Sequence, residues 1–145
     1  MIRVCFVCLG NICRSPMAEF MMKNKVNKLG ISDKFIIESR ATSYEEVGND
    51  MHRGAKAILD LNKIPYSKRC STRVESNDLD KFDYFICMDS HNVRDLKYIL
   101  NDYSKIVKLL DKDVADPWYT GNFKATYDDI NVGLDNFIMK INSKC

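Results

Sequence analysis

Four short apolar runs alternate with stretches of helical period, and this alternation constrains the fold of the 145-residue chain more than any other feature. Arg3 to Cys8, Phe35-Ile36-Ile37, Tyr84 to Met88 and Ile106 to Leu110 have the length and the β-branched or aromatic content of buried strands. Ser15-Pro16 reads as an N-cap followed by proline at the first helical position, with Met17, Phe20, Met21 and Leu29 as the apolar stripe and Gly30 as the stop. Ala55, Ile58, Leu59 and Leu61 mark a helix across 52–62, and Ser76 opens a helical turn holding Leu79 and Phe82. Val93, Leu96, Ile99 and Leu100 lie on one face of a helix over 92–100. Tyr127, Ile130, Leu134, Phe137, Ile138 and Ile141 make a long amphipathic helix. Residues 111–126 show no period and contain Asp116-Pro117, so they read as a long loop. Strands alternating with helices imply an α/β fold, three layers deep, with a four-stranded parallel sheet covered by helices on both faces, in a single domain over 1–145.

Twenty-two Lys and Arg against twenty Asp and Glu give a net charge of +2, too mild and too evenly spread to indicate a nucleic-acid partner. No stretch approaches the ~18 apolar residues of a membrane span, and the run after Met1-Ile2-Arg3 is too short for a secretory leader. Cytoplasmic residence with reduced thiols is therefore the expectation. The six cysteines are Cys5, Cys8, Cys13, Cys70, Cys87 and Cys145. Three of them crowd into nine residues near the N-terminus, a placement that suggests chemistry rather than stapling.

Cys8-Leu9-Gly10-Asn11-Ile12-Cys13-Arg14-Ser15-Pro16 leaves a buried strand and enters a helix. The first N–H groups of a helix lack intrahelical acceptors, and the dipole adds roughly half a positive charge there. Gly10 and Asn11 are residue types that tolerate positive φ. Arg14 brings a planar fork that matches phosphate bidentately. Together these make a site for a tetrahedral oxyanion. N–H groups and guanidinium also favour thiolate over thiol at Cys8, which makes it a nucleophile aimed at bound phosphorus, and Ser15 can hydrogen-bond that sulfur. The competing readings are a buried structural cysteine, the expectation for Cys5, and a redox or zinc pair from Cys5-x-x-Cys8 or Cys8-x4-Cys13. No second Cys or His cluster completes a zinc set.

Departure of a phenolate, whose conjugate acid has a pKa of ~10, calls for a proton donor on the far side of phosphorus. Carboxylic acids in loops and the two histidines, His52 and His91, are the candidates. Asp116 stands in the long loop beside Pro117, Trp118 and Tyr119, although Asp-Pro is also a common turn opener. Trp118 and Tyr119 either wall a cleft or bury in the core.

The run Val7 to Pro16 resembles, residue for residue, the phosphate-binding loop of the low-molecular-weight protein tyrosine phosphatases. Phe82 to Asp89 with Asn92-Val93-Arg94-Asp95-Leu96 resembles the family's central strand and following helix, and Asp116-Pro117-Trp118-Tyr119 resembles its acid loop. The resemblance covers essentially the whole chain. It implies hydrolysis of phosphotyrosine and small aryl phosphates through a cysteinyl-phosphate, with no metal or organic cofactor. Cys8 is then the nucleophile and Asp116 the acid and base. Arg14 with Leu9, Gly10, Asn11, Ile12, Cys13 and Ser15 binds the phosphoryl group. Partners would be phosphotyrosine proteins or peptides, with phosphate, sulfate and vanadate as competing oxyanions. The resemblance also implies that Asn11 and Ser39 hold the loop, that Asp89 orients Arg14, and that Cys13 closes a reversible disulfide with Cys8 under peroxide.

Two positions depart from the family pattern. An aromatic is usual on the wall opposite the acid loop, within 41–50, whereas here Tyr44 stands one position early and Glu45 near the expected place. A histidine is usual near residue 68, whereas here Lys68-Arg69 stands there with an apparent one-residue insertion. The rival activities are an arsenate reductase of the same fold, for which Cys87 offers one relay thiol and Arg94 stands where the other is expected, a cysteine phosphocarrier domain, and a non-catalytic phosphate-binding module.

Overall fold

The structure is a computed structural model that describes residues 1–143; Cys145 lies outside them. Strands β1 (Ile2–Cys8), β2 (Phe35–Ala41), β3 (Tyr84–Cys87) and β4 (Ile106–Lys108) form one parallel sheet in the order β2-β1-β3-β4. Helices α1 (Arg14–Lys28), α2 (Arg53–Leu61), α3 (Ser90–Leu100), α4 (Pro117–Thr120) and α5 (Phe123–Asn142) connect or follow them.

β1 is central and buried on both faces, so its side chains divide by the period of two. Val4, Phe6 and Cys8 join a core with Met17, Met21, Leu59, Ile130 and Leu134 from α1, α2 and α5. Cys5 and Val7 join a second core with Phe82, Phe85, Leu96 and Leu100, on the α3 side. This parity puts Cys5 and Cys8 on opposite faces of the sheet and removes Cys5-x-x-Cys8 as a thiol pair. β1 runs in register with β2 from Ile2–Phe35 to Cys8–Ala41, and with β3 from Val4–Tyr84 to Val7–Cys87. The chain moves from β1 to one side and then to the other, so β1 is the switch point, and a crevice opens beyond its carboxyl end.

Several boundaries differ from the sequence expectation. Ser15 does not cap α1: the helix begins at Arg14, with Cys13 in the N-cap position and no side-chain cap bond. The Ser15 hydroxyl is instead engaged with the Cys8 sulfur. Pro16 is thus the third helical residue, where a missing N–H still costs nothing. The stretch 111–126 is not all loop. Asp116 Oδ1 accepts from Trp118 N at 3.0 Å, Pro117 follows at the first position, and Gly121 at φ 71° ends the four-residue α4. Asn122 Oδ1 then accepts from Ala125 N at 3.0 Å and starts α5 four residues before the first apolar position of its stripe.

Gly133 lies in α5 against β4's exit. A Cβ there would sit 2.5 Å from Leu109 Cγ. Gly133→Ala gains about 1 kcal/mol of helix propensity but overpacks the contact by about 1–3 kcal/mol. Urea unfolding is expected to show a net loss of stability; a gain would mean that Leu109 yields freely.

Candidate active site

Carbonyls of the loop that follows β1 are tied outward. Cys8 O accepts from Thr42 N at 3.0 Å, Leu9 O from Ser43 N at 3.1 Å, Gly10 O from Ser71 Oγ at 2.8 Å and Ile12 O from His52 N at 2.8 Å. Cys13 O takes the first helical bond, from Met17 N. A trans peptide that turns its carbonyl out turns the next N–H the other way. The amides of residues 9, 10, 11, 13 and 14 are thereby directed to the loop's centre, a ready anion cradle. Asn11 N and Ser15 N approach the Cys8 sulfur at 3.3 and 3.4 Å, and Ser15 Oγ lies 3.0 Å from it. The left-handed residue is Asn11, at φ 57°. Gly10 has no positive φ; its lack of a side chain leaves room for Glu46, whose Cγ would sit 3.3 Å from a Cβ.

Behind the loop Asn11 is 0% exposed and uses both hydrogens and both lone pairs of its amide. Nδ2 donates to Ser15 Oγ at 2.8 Å and to Ser39 Oγ at 2.9 Å. Oδ1 accepts from Thr72 N at 3.2 Å and from Arg69 Nη2. Ser39 passes its own hydrogen to Glu19 Oε1 at 2.6 Å. Sequence reasoning missed Arg69, which occupies the place where the resemblance left a gap.

Arg14 is 3% exposed. Its Nη1 donates to Asp89 Oδ2 at 2.7 Å and to Val114 O at 2.8 Å, and Nη2 lies 3.4 Å from Asp116 Oδ2. Burial works against the cation, but the charge on Cys8 and the carboxylates of Asp89 and Asp116 outweigh it, and the Arg14 pKa lies above its usual value. Asp89 works through both oxygens: Oδ2 takes Arg14, and Oδ1 caps α3 by accepting from Asn92 N at 2.8 Å. Cys13, in the loop beside Cys8, has its thiol pushed up to about 12 by burial and by the Cys8 and Asp116 charges. Cys87 is buried in the second core, its thiol raised by burial.

A cleft over the loop is lined by Cys8, Leu9, Gly10, Ile12, Cys13, Arg14, Glu45, Glu46, Asp116, Trp118 and Tyr119. Asn11, Ser15 and Ser39 lie beneath it, as the bonds above require. Tyr44, expected on the wall, does not line the cleft: its ring packs under the Arg73 guanidinium, 4.6 Å from the ring centre. Glu46 takes a place on that wall which sequence reasoning did not assign. Trp118, 58% exposed, meets the His52 ring edge-on at 5.7 Å, and His52 stacks on Phe123 at 5.3 Å.

The family profile described as low molecular weight phosphotyrosine protein phosphatase matches residues 3–145. The low molecular weight protein-tyrosine-phosphatase PtpA of Staphylococcus saprophyticus is 43% identical over 145 residues, covering 95% of this chain and 92% of that one. YfkJ of Bacillus subtilis, of the same description, is 38% identical over 150 residues, covering 97% and 96%. Among solved structures, YfkJ superposes with a TM-score of 0.96 at 37% identity, covering 99% and 96%. The low molecular weight protein tyrosine phosphatase of Streptococcus pyogenes does so at 0.91 and 46%, covering 97% and 93%. The chain belongs to the low molecular weight phosphotyrosine protein phosphatase family, a class of phosphoric monoester hydrolases.

Asp50 ends the wall loop and pins the segment that carries Arg69. It accepts from Lys56 Nζ at 2.7 Å, Met51 N at 2.7 Å and Arg69 N at 3.2 Å. The Lys56 bond, against some cost of burial and aided by the two amides, holds its carboxyl at about 2 rather than 3.8. A folded-state value below the unfolded one contributes stability that is full above the unfolded value and drains as pH falls through the folded one. Urea unfolding followed from about pH 5 to about pH 2 is therefore expected to lose less stability in Asp50→Asn than in the native chain; parallel acid limbs would remove Asp50 from the linkage.

Proposed function

We propose that this protein hydrolyses phosphotyrosine and small aryl phosphate monoesters through a cysteinyl-phosphate intermediate. The observation that carries the reading is the Cys8 sulfur, held by one hydroxyl and two backbone amides at the base of an anion cradle, with Asp116 across the cleft beside Arg14. The phosphoryl oxygens take the loop amides and the Arg14 guanidinium, whose Nη2 has only the longer contact to Asp116. Cys8 attacks phosphorus, the bond to the phenolic oxygen breaks, and Asp116 delivers a proton to that oxygen. In the second step Asp116 takes a proton from water, whose oxygen attacks phosphorus. The S–P bond breaks, and Ser15 with the two amides receives the thiolate.

Cys8 lies in a cleft whose lining includes Trp118 and Tyr119, an aromatic wall for the ring of an aryl ester that a short alkyl ester would not use. This favours phosphotyrosine proteins or peptides over phosphoserine ones. Phosphate, sulfate and vanadate would compete for the cradle. Peroxide would turn the Cys8 thiolate into a sulfenic acid. The Cys13 thiol then displaces water from it to form a disulfide that thiols reverse.

Cys8→Ser is expected to abolish turnover of phosphotyrosine peptides and the trapping of phosphate on the chain; turnover that survives would end the mechanism. Asp116→Ala is expected to slow hydrolysis of a phenyl ester by about 10²–10⁴-fold and that of an ester with a more acidic phenol by much less. Equal losses on both esters would take the proton-donor role from Asp116.

A further inference from the structure

Arg69 lies far from the chemistry in sequence and beneath it in space. Its Nη2 donates to Asn11 Oδ1, and its Nη1 is buried with no hydrogen-bond partner among the described residues. A partly buried guanidinium with one arm unsatisfied is costly, which directs attention to what its charge acts on. The direction of the hydrogen bonds says what that is.

Asn11 accepts from Arg69 and donates through Nδ2 to Ser15 Oγ. Ser15 Oγ, having accepted, has one hydrogen of its own, and the Cys8 sulfur lies 3.0 Å away. With Cys8 as a thiolate, which can only accept, the chain of donors runs one way, from guanidinium to amide to hydroxyl to sulfur. The Ser39 branch also runs outward from Asn11 and ends on the Glu19 carboxylate, which Lys23 Nζ meets at 2.7 Å. In such a chain each bond polarises the next, and a cation at its head strengthens the donor at its foot. The titratable groups facing Arg69 are Glu19, Cys8, Asp50 and Cys70. Asp50 is already neutralised by Lys56. A guanidinium stays charged at every pH the protein meets.

We propose that Arg69 is a positioning residue whose fixed charge, relayed through Asn11 and Ser15, sets the share of Cys8 held as thiolate. It touches no reacting atom. The proposal rests on the reading of Cys8 as the nucleophile, but not on phosphatase turnover, since thiolate is read by alkylation alone.

The test is the rate of Cys8 carbamidomethylation by iodoacetamide against pH, followed at the Cys8 peptide by mass spectrometry because the exposed Cys70 is alkylated as well. The native chain is compared with Arg69→Gln, Arg69→Lys and Arg69→His, each checked for its thermal midpoint. Arg69→Gln keeps a donor and loses the charge; its profile is expected to move up by about one pH unit, a tenfold lower rate below the midpoint. Arg69→Lys should fall between Gln and native. Arg69→His should gain a second inflection near pH ~6.5 as the imidazole discharges, and this arm decides if the Gln chain does not fold. Kcat/KM for an aryl phosphate should follow the same order. A Gln profile that coincides with the native one in a folded chain, equal shifts for Gln and Lys, or a single native-like inflection for His would each overturn the proposal. Alkylation that follows the proposal in a chain without phosphatase activity would fault the functional reading and leave Arg69 in its role.

Discussion

Taking a guanidinium out of water costs several kcal/mol unless every arm finds a partner, and removing one partner of such a buried charge costs about 3–5 kcal/mol. Arg14 is in that position. Its three partners come from two places far apart in the chain: the junction of β3 and α3 at Asp89, and the segment leading into α4, through the Val114 carbonyl and the Asp116 carboxylate. None of the three can drift without uncovering the charge. The same contacts that solvate Arg14 thus draw the opening turn of α1, the entry to α3 and the start of α4 around one crevice beyond the carboxyl end of β1. The sheet order makes that crevice, and the buried cation fixes what stands around it.

The loop itself is held from the other side by Asn11. A non-glycine residue at positive φ is strained, and asparagine is among the few that bear it. Here the strained backbone is matched by an amide whose four hydrogen-bonding sites are all met within the protein, so the bonds that shape the loop do not draw on an anion. An anion cradle formed before its ligand arrives asks for no reorganisation when charge develops, which is where such sites gain most of their effect.

Much of this was legible from residues alone. The strands followed from short apolar runs and the long helices from a period of 3.6, because burial on both faces of a sheet removes alternation while burial on one face of a helix writes its period into the sequence. The loop from Cys8 to Ser15 was legible because its chemistry is local: every group that faces the anion lies within eight residues. The rest was not local. Arg69 reaches Asn11 across 58 positions, from a segment with no period, and nothing in its neighbours marks it as inward. Glu46 lines the cleft while Tyr44, two residues away, turns to Arg73, a choice set by the turn geometry of the wall loop rather than by residue type. α4 is too short to show a period; its signals were the Asp-Pro start and Gly121, which a loop would display equally. Ser15 looked like a helix cap since its type and position fit one, and only the sulfur beside it redirected the hydroxyl.

His52 joins the loop after β1 to the aromatic side of the cleft without belonging to either. Its main chain is bonded to Ile12 of the loop, its Nδ1 caps α2 by accepting from Gly54 N at 2.9 Å, and its ring rests on Phe123 with Trp118 against its other side. The post is therefore fastened by hydrogen bonds and a stack, while the indole is held to it by one edge contact of about 0.5–1.5 kcal/mol. A side chain so weakly attached swings aside at little cost and leaves the post where it stands. Displacing the indole is thereby divorced from the hydrogen bonds that shape the loop: its cost falls on one ring contact, and the bonds of the floor beneath it are left intact.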